Sequence, residues 1–118
     1  MSPASGRVLI ADDEPYVREL LRDFLLRADY EVATAATGAE ALQALRTIQP
    51  DVILIDMLMP GLSGTDVINA VRRAGLTVPV ILMSGHEVAM PEGVFGVLKK
   101  PFDLRRLAEL VAAAVGHG

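Results

Sequence analysis

The sequence predicts an α/β fold: a doubly wound, five-stranded parallel sheet in the order 2-1-3-4-5, with a shortened or missing fourth helix. Three observations predict it. Short apolar runs alternate with amphipathic helical stretches, the pattern of a parallel sheet covered on both faces. The run Val52-Ile53-Leu54-Ile55 is apolar throughout, as a strand buried on both sides requires. Carboxylates follow two such runs directly, Asp12-Asp13 after Val8-Leu9-Ile10-Ala11 and Asp56 after Ile55. Open α/β sheets keep their chemistry at the carboxyl ends of their strands.

Each element has its own local reason. Arg7 to Ala11 reads as the first strand. Glu14-Pro15 opens a helix, since proline suits a first turn and an acid suits the positive helix end. Val17, Leu20, Leu21, Phe24 and Leu25 fall on its inner face. Glu31 to Ala35 is a short strand. Thr37 and Glu40 have the spacing of a capping box, and Ala41, Leu42, Leu45 and Ile48 form the buried stripe of a helix that Pro50 stops. Val52 to Ile55 is the third strand. After a turn at Gly61 to Gly64, a third helix turns Val67, Ile68 and Val71 inward. Arg72 and Arg73 suit its negative end and Gly75 its exit. Val78 to Met83 reads as the fourth strand and Gly96 to Lys99 as the fifth. Asp103 caps a last helix with Leu104, Leu107, Ala108, Val111 and Val115 inward, leaving Gly116-His117-Gly118 as a tail. The eleven residues Gly85 to Phe95 include Pro91 and Gly93 and are too few for a full crossover helix, so one turn or an irregular loop is expected there.

Composition bounds the function. At 118 residues and 52% hydrophobic, the chain makes one domain with a full core. Residues 1–6 read as a flexible segment and 7–118 as the domain. The net charge of −4 argues against a nucleic-acid-binding surface. The absence of cysteine excludes disulfides and thiolate metal sites and is compatible with a reducing cytoplasm. No apolar run approaches the roughly 20 residues of a membrane span, and Met1 to Gly6 lacks the apolar core of a signal peptide. With aromatics at 4% and no tryptophan, a base- or sugar-stacking platform is not expected.

In the order 2-1-3-4-5 the first and third strands are neighbours at a switch point, so Asp12, Asp13 and Asp56 should converge. Like charges that close raise one another's pKa or push the fold open, and a small hard cation such as Mg²⁺ relieves them. Alone, Asp-Asp-Glu before a helix is more often a cap than a metal site, and an Asp ahead of Pro60-Gly61 more often starts a turn. Two acidic sites in register at neighbouring strand ends favour the joint reading. Ser84 ends the fourth strand, where a hydroxyl could donate to an oxyanion or simply start a turn. Lys100 follows the fifth strand. Pro101 keeps it extended through a peptide that could be cis, and its ammonium is a point charge for phosphate. Lys99 reads as a solvated lysine. Met57, Met59, Met83 and Met90 read as filler, since carboxylates dominate the pocket.

Taken as a set, Asp12-Asp13, Asp56, Met59-Pro60-Gly61 with Gly64, Ser84 and Lys100-Pro101-Phe102 resemble the receiver domain of two-component response regulators, from about Arg7 to Val115. The resemblance implies a flavodoxin-like fold with Asp56 as phosphoacceptor, taking a phosphoryl group from a histidine kinase or histidine phosphotransfer protein. It implies Mg²⁺ held by Asp13 and Asp56, by Asp12 through water, and by the Leu58 carbonyl. It implies that Lys100 contacts a phosphoryl oxygen and that the Ser84 hydroxyl moves toward another. It also implies that Leu58 and His86 line the approach of the hydrolytic water. Leu58 would exclude that water and slow the loss of phosphate, while His86 reads as a solvated loop residue and His117 as idle.

Many receivers carry an aromatic three residues before the lysine, where this chain has Val97. Phe95, two residues back, would share the face of Val97 in an unbroken strand. Short fourth helices resemble receivers of hybrid kinases or phosphorelays, and the tail fits a stand-alone or excised receiver. The rival within the fold is a binding module that does not switch. An aspartyl phosphatase would want a second Asp where Leu58 stands, and a cap for which there is no spare length. A flavin-binding domain would want a hydroxyl-rich phosphate cradle where Ala11-Asp12-Asp13-Glu14 is acidic.

Overall fold

The computed structural model describes residues 5–86 and 90–117. Among the described residues nine elements follow one another: β1 (Arg7–Ala11), α1 (Pro15–Arg27), β2 (Glu31–Ala35), α2 (Gly38–Ile48), β3 (Val52–Asp56), α3 (Gly64–Arg73), β4 (Val80–Ser84), β5 (Gly96–Lys99) and α4 (Leu104–His117). The strands form one sheet in the order β2-β1-β3-β4-β5, every pair parallel, as the alternation predicts.

Strand alternation divides the core in two. Val8, Ile10, Val52, Leu54, Ile81, Met83 and Leu98 pack with Val17, Leu21 and Leu25 of α1 and Leu107, Leu110, Val111 and Ala114 of α4. Leu9, Ala11, Ile53, Ile55, Val80 and Leu82 pack with Ala41 and Leu45 of α2 and Val67, Ile68 and Val71 of α3. Register then positions the site. Ala11 lies opposite Ile55, so the next residue on each strand, Asp12 and Asp56, emerges side by side. Ser84 lies opposite Lys99, which puts Lys100 at the same mouth.

Several details differ from the sequence expectation. Leu20 is 37% exposed, because the buried stripe is Val17, Leu21 and Leu25 and Leu20 sits at its flank. The fourth strand begins at Val80, not Val78, and includes Ser84. The Val78 carbonyl is taken by the Arg72 guanidinium at 2.9 Å, and Pro79 has no N–H for the ladder. The last helix continues through His117, and Leu110 and Ala114 join its buried face. Thr37 accepts from the Glu40 amide at 3.1 Å, but the Glu40 carboxylate reaches Ala36 N–H at 2.8 Å, one residue before the box position. A complete capping box occurs instead at α3, between Ser63 and Asp66. Residues 1–4 of the segment read as flexible lie outside the described residues, while Ser5 N–H bonds the Asp29 carbonyl at 2.7 Å and Gly6 accepts from Glu31 N–H at 2.9 Å.

Among the described residues no helix lies between β4 and β5; residues 87–89 of that crossover are outside them. Val94 covers the sheet there, and Arg72 ties the crossover down by donating to the Gly93 carbonyl at 2.8 Å as well as to Leu76 and Val78. Arg72 is thus a specific tether rather than only a charge at a helix end. Phe95 and Val97 do not share a face: Phe95 packs with the α1–α4 core and Val97 with the α2–α3 core. The strand begins only at Gly96, so the two-residue alternation does not reach back to Phe95.

Candidate functional site

Three carboxylates meet at the carboxyl ends of β1 and β3. Asp12, Asp13 and Asp56 each offer an oxygen, and those oxygens lie within 4.8 Å of one another. Asp12 is fully buried and Asp56 nearly so, while Asp13 faces solvent. Every polar group of Asp12 is engaged. Its N–H bonds the Ala35 carbonyl at 3.1 Å, and its carbonyl accepts from Arg18 at 2.8 Å. One carboxylate oxygen accepts from Glu14 N–H at 2.9 Å and the other from the Lys100 ammonium at 2.9 Å.

Lys100 bridges the two strand ends. Its Nζ is 2.9 Å from Asp12, 3.4 Å from Asp56 and 3.9 Å from the outer carboxylate of Glu14. Lys100 N–H bonds the Ser84 carbonyl at 2.8 Å, the peptide to Pro101 is cis, and the Phe102 ring lies 6.0 Å from the ammonium. Asp13, Glu14, Asp56, Leu58, Gly85, His86 and Lys100 line a cleft of about 270 Å³. A second cleft, of about 360 Å³, opens at the opposite sheet end between Leu45, Leu76 and Pro79; its carboxylate, Asp51, accepts from Arg7 N–H, and among the described residues no acid cluster lies there.

The electrostatics follow from this crowding. Burial raises the pKa of Asp56, the nearby Asp12 charge raises it further, and Lys100 and the Leu58 amide offset only part of this. Burial works against the Lys100 ammonium, yet the hydrogen bond and charge of Asp12 and the charge of Asp56 outweigh it and raise its pKa. The pocket therefore holds a fixed cation and a carboxylate whose ionised form is costly.

A stability prediction follows. The folded protein binds the Asp56 proton more tightly than the unfolded chain, whose ordinary value is 3.8. The cost of the ionised group is present at neutral pH and disappears as pH falls through the raised pKa. Without divalent cations, Asp56→Asn will be more stable than wild type at pH 7, because the amide carries no charge to bury beside Asp12. The gap will close by about pH 4. Urea unfolding across that range in EDTA checks this; a gap that is constant with pH would contradict it.

Ser84 is buried at the strand end with its hydroxyl engaged by its own turn: it donates to the His86 carbonyl at 3.0 Å and accepts from His86 N–H at 3.1 Å. The structure thus brings Asp12, Asp13, Asp56 and Lys100 together and leaves Ser84 closed on its own turn. The Leu58 side chain is 66% exposed at the cleft, and His86 is exposed beside it. Two contributors escaped the sequence reading. Glu14 adds a fourth carboxylate at the rim instead of capping α1 with its side chain, and Arg18 reaches back to the Asp12 carbonyl. Neither has a local sequence signal.

An acid cluster at the switch point of a doubly wound parallel sheet, faced by an ammonium from the last strand, defines a receiver-type signalling domain. Its acidic pocket fits a phosphoacceptor site. The model of the response regulator receiver domain matches residues 8–112. The chain is 35% identical to the DNA-binding transcriptional regulator NtrC of Escherichia coli, covering 95% of this chain and 25% of that protein. It is 38% identical to the transcriptional regulatory protein KdpE of Mycobacterium tuberculosis, covering 92% of this chain and 50% of that one. A receiver domain from Clostridium thermocellum superposes with TM-score 0.87 at 29% identity, covering 94% of each chain. The response regulator TrrA of Thermotoga maritima, in complex with Mg²⁺-BeF, superposes with TM-score 0.84 at 31% identity over 92% of this chain and 97% of that one. The chain belongs to the response regulator receiver domain family.

It spans a quarter to a half of the length of these two curated relatives. NtrC is named as DNA-binding, and the charge argument against a nucleic-acid partner concerns only the surface of these 118 residues. Among the described residues no helix is long and apolar enough to cross a membrane.

Proposed function

We propose that this domain accepts a phosphoryl group on Asp56, in the cytoplasm, from a phosphohistidine of a histidine kinase or histidine phosphotransfer protein. The observation that carries the reading is Lys100, whose ammonium lies 3.4 Å from the Asp56 carboxylate and 2.9 Å from Asp12 beside three converging acids. The Asp56 oxygen attacks phosphorus, the phosphorus–nitrogen bond to the imidazole breaks, and an acyl phosphate results. Such transfer needs positioning and charge neutralisation above all. Lys100 supplies a fixed positive charge for the incoming oxygens, and buried Asp12 holds Lys100 in place.

The donor set fits Mg²⁺: hard carboxylate oxygens, one of them on solvent-facing Asp13, and a buried Asp56 whose ionised form lacks enough compensation from protein alone. Asp12, Asp13 and Asp56 would hold the ion with the Leu58 carbonyl, and when bound it supplies further charge neutralisation for the phosphoryl oxygens. Ser84 must give up its His86 carbonyl before its hydroxyl can reach a phosphoryl oxygen, so that exchange is the candidate switch.

A non-switching binding module is the second reading, favoured by Val97 in place of the aromatic and by the crossover, where no helix lies among the described residues. The two separate on adding Mg²⁺ and beryllofluoride while following amide NMR shifts. A switch gives shifts at Ser84, His86 and Lys100 that Asp56→Asn abolishes. Shifts confined to Asp13, Asp56 and Leu58 would support the static module, and no binding at all would remove the phosphoacceptor reading.

A further inference from the structure

We propose that Arg18 is a positioning residue for the acid pocket: from α1 it holds the peptide carbonyl of Asp12 and so sets the convergence of the Asp12 and Asp13 carboxylates. The inference rests on the reading that this pocket takes a divalent cation.

The geometry is specific. β1 ends at Ala11 and α1 begins at Pro15, so Asp12 and Asp13 sit on a three-residue link that the neighbouring strand holds at the Asp12 N–H, through the Ala35 carbonyl. Arg18 N–H bonds the Glu14 carbonyl at 3.1 Å, placing Arg18 at the start of the regular helix. Its side chain, partly buried, runs back toward the link and donates from Nη1 to the Asp12 carbonyl at 2.8 Å. That carbonyl and the amide of Asp13 belong to one planar peptide unit. Fixing its orientation fixes the direction in which the Asp13 side chain leaves the backbone. Asp12 itself is held from its other side by Ala35, Glu14 and Lys100. Without Arg18 the peptide between the two acids is the part of the link free to rotate. Groups that orient ligands from behind commonly matter almost as much as the ligands.

The sign of the effect separates this role from simple electrostatics. A guanidinium near a cation site repels the cation, so a residue acting only through its charge would, when removed, let Mg²⁺ bind more tightly. A positioning residue gives the opposite result. Arg18→Met keeps the aliphatic stem and removes the donor; Arg18→Gln keeps an amide donor on a chain two atoms shorter, out of reach of the Asp12 carbonyl, so a folding defect in one leaves the other. Arg18→Lys keeps both charge and a donor.

Mg²⁺ is titrated at constant ionic strength into each full chain, following the Asp13 and Leu58 amides by NMR, and unfolding is measured in parallel in EDTA. The Met and Gln variants should raise the Mg²⁺ dissociation constant about three- to tenfold, the scale of one hydrogen bond acting through a ligand. Lys should fall between them and wild type. Unchanged or tighter binding in a folded Met or Gln variant overturns the proposal, even if that variant is less stable in EDTA. A wild-type protein that binds no Mg²⁺ overturns the cation reading itself and this role with it.

Discussion

Lys100→Met will lower the stability of the cation-free protein at pH 7 by about 2–3 kcal/mol, somewhat less than the cost of breaking a fully buried ion pair. The discount reflects the fifth of the Lys100 side chain that stays in water, against none for Asp12. Methionine keeps the stem but leaves Asp12 and Asp56 facing each other without a counter-charge. Asp56 is already raised by burial and by Asp12, and Lys100 is the foremost of the groups that lower it, ahead of the Leu58 amide, so the variant pushes it higher still. The added penalty belongs to the ionised form. It is therefore full at neutral pH and fades as pH falls through the folded pKa toward 3.8. Saturating Mg²⁺ will recover part of the loss, because a cation can replace the missing charge. Phosphoryl acceptance will not recover in the same way and should fall about 100-fold, the scale of removing one preorganised donor. Urea unfolding with EDTA and with Mg²⁺ measures the first effect and labelling by acetyl phosphate the second. Equal stability of variant and wild type in EDTA would show that Lys100 does not balance the acids.

Gly64→Ala will cost about 2 kcal/mol and weaken Mg²⁺ binding, although alanine is the better helix former. Gly64 opens α3 directly against the loop that carries the site. A Cβ there would lie 2.6 Å from the Asp56 carbonyl oxygen and 3.0 Å from the Met57 Cα, both backbone atoms with no rotamer to change. The Gly64 amide also donates to the Met57 carbonyl at 2.9 Å, so the two segments are bonded at the distance that the methyl would have to widen. Helix propensity offers at most about 1 kcal/mol in return, and less at a first position. Overpacking against rigid neighbours costs about 1–3 kcal/mol and moves the backbone, so the clash wins. Gly116→Ala is the control: nothing lies within 4 Å of its added Cβ, and no loss of stability is expected. Thermal unfolding and a Mg²⁺ titration of both variants decide the matter; a Gly64→Ala protein as stable as wild type would mean that the α3 junction can shift freely.

Much of this molecule was legible in the sequence. Apolar β-branched runs placed five strands, and helical stripes placed four helices. The short span between Ser84 and Gly96 implied a crossover without a full helix. The acids were legible because each follows its strand without a gap. What was not legible depends on where a side chain turns once the chain is folded. Arg72 read as a charge at a helix end, yet it donates to carbonyls up to twenty-one positions away. Ser84 stood at the right strand end, but its rotamer closes on His86. Counting in steps of two puts Phe95 and Val97 on one face, and the late start of β5 separates them. The Ser63–Asp66 box uses an Asp where the usual signature has Glu or Gln, so the signature does not reveal it.

By itself the sequence determined the order and kind of the elements and which acids could share a mouth, because periodicity and strand ends are local properties of the chain. Tertiary structure alone decided that Lys100, 88 positions from Asp12, bonds it at 2.9 Å, that Arg18 bonds the carbonyl between the two acids, and that the Ser84 hydroxyl is spent on His86. Those outcomes follow from strand register and from competition among hydrogen-bond partners, which exist only once distant segments are packed side by side.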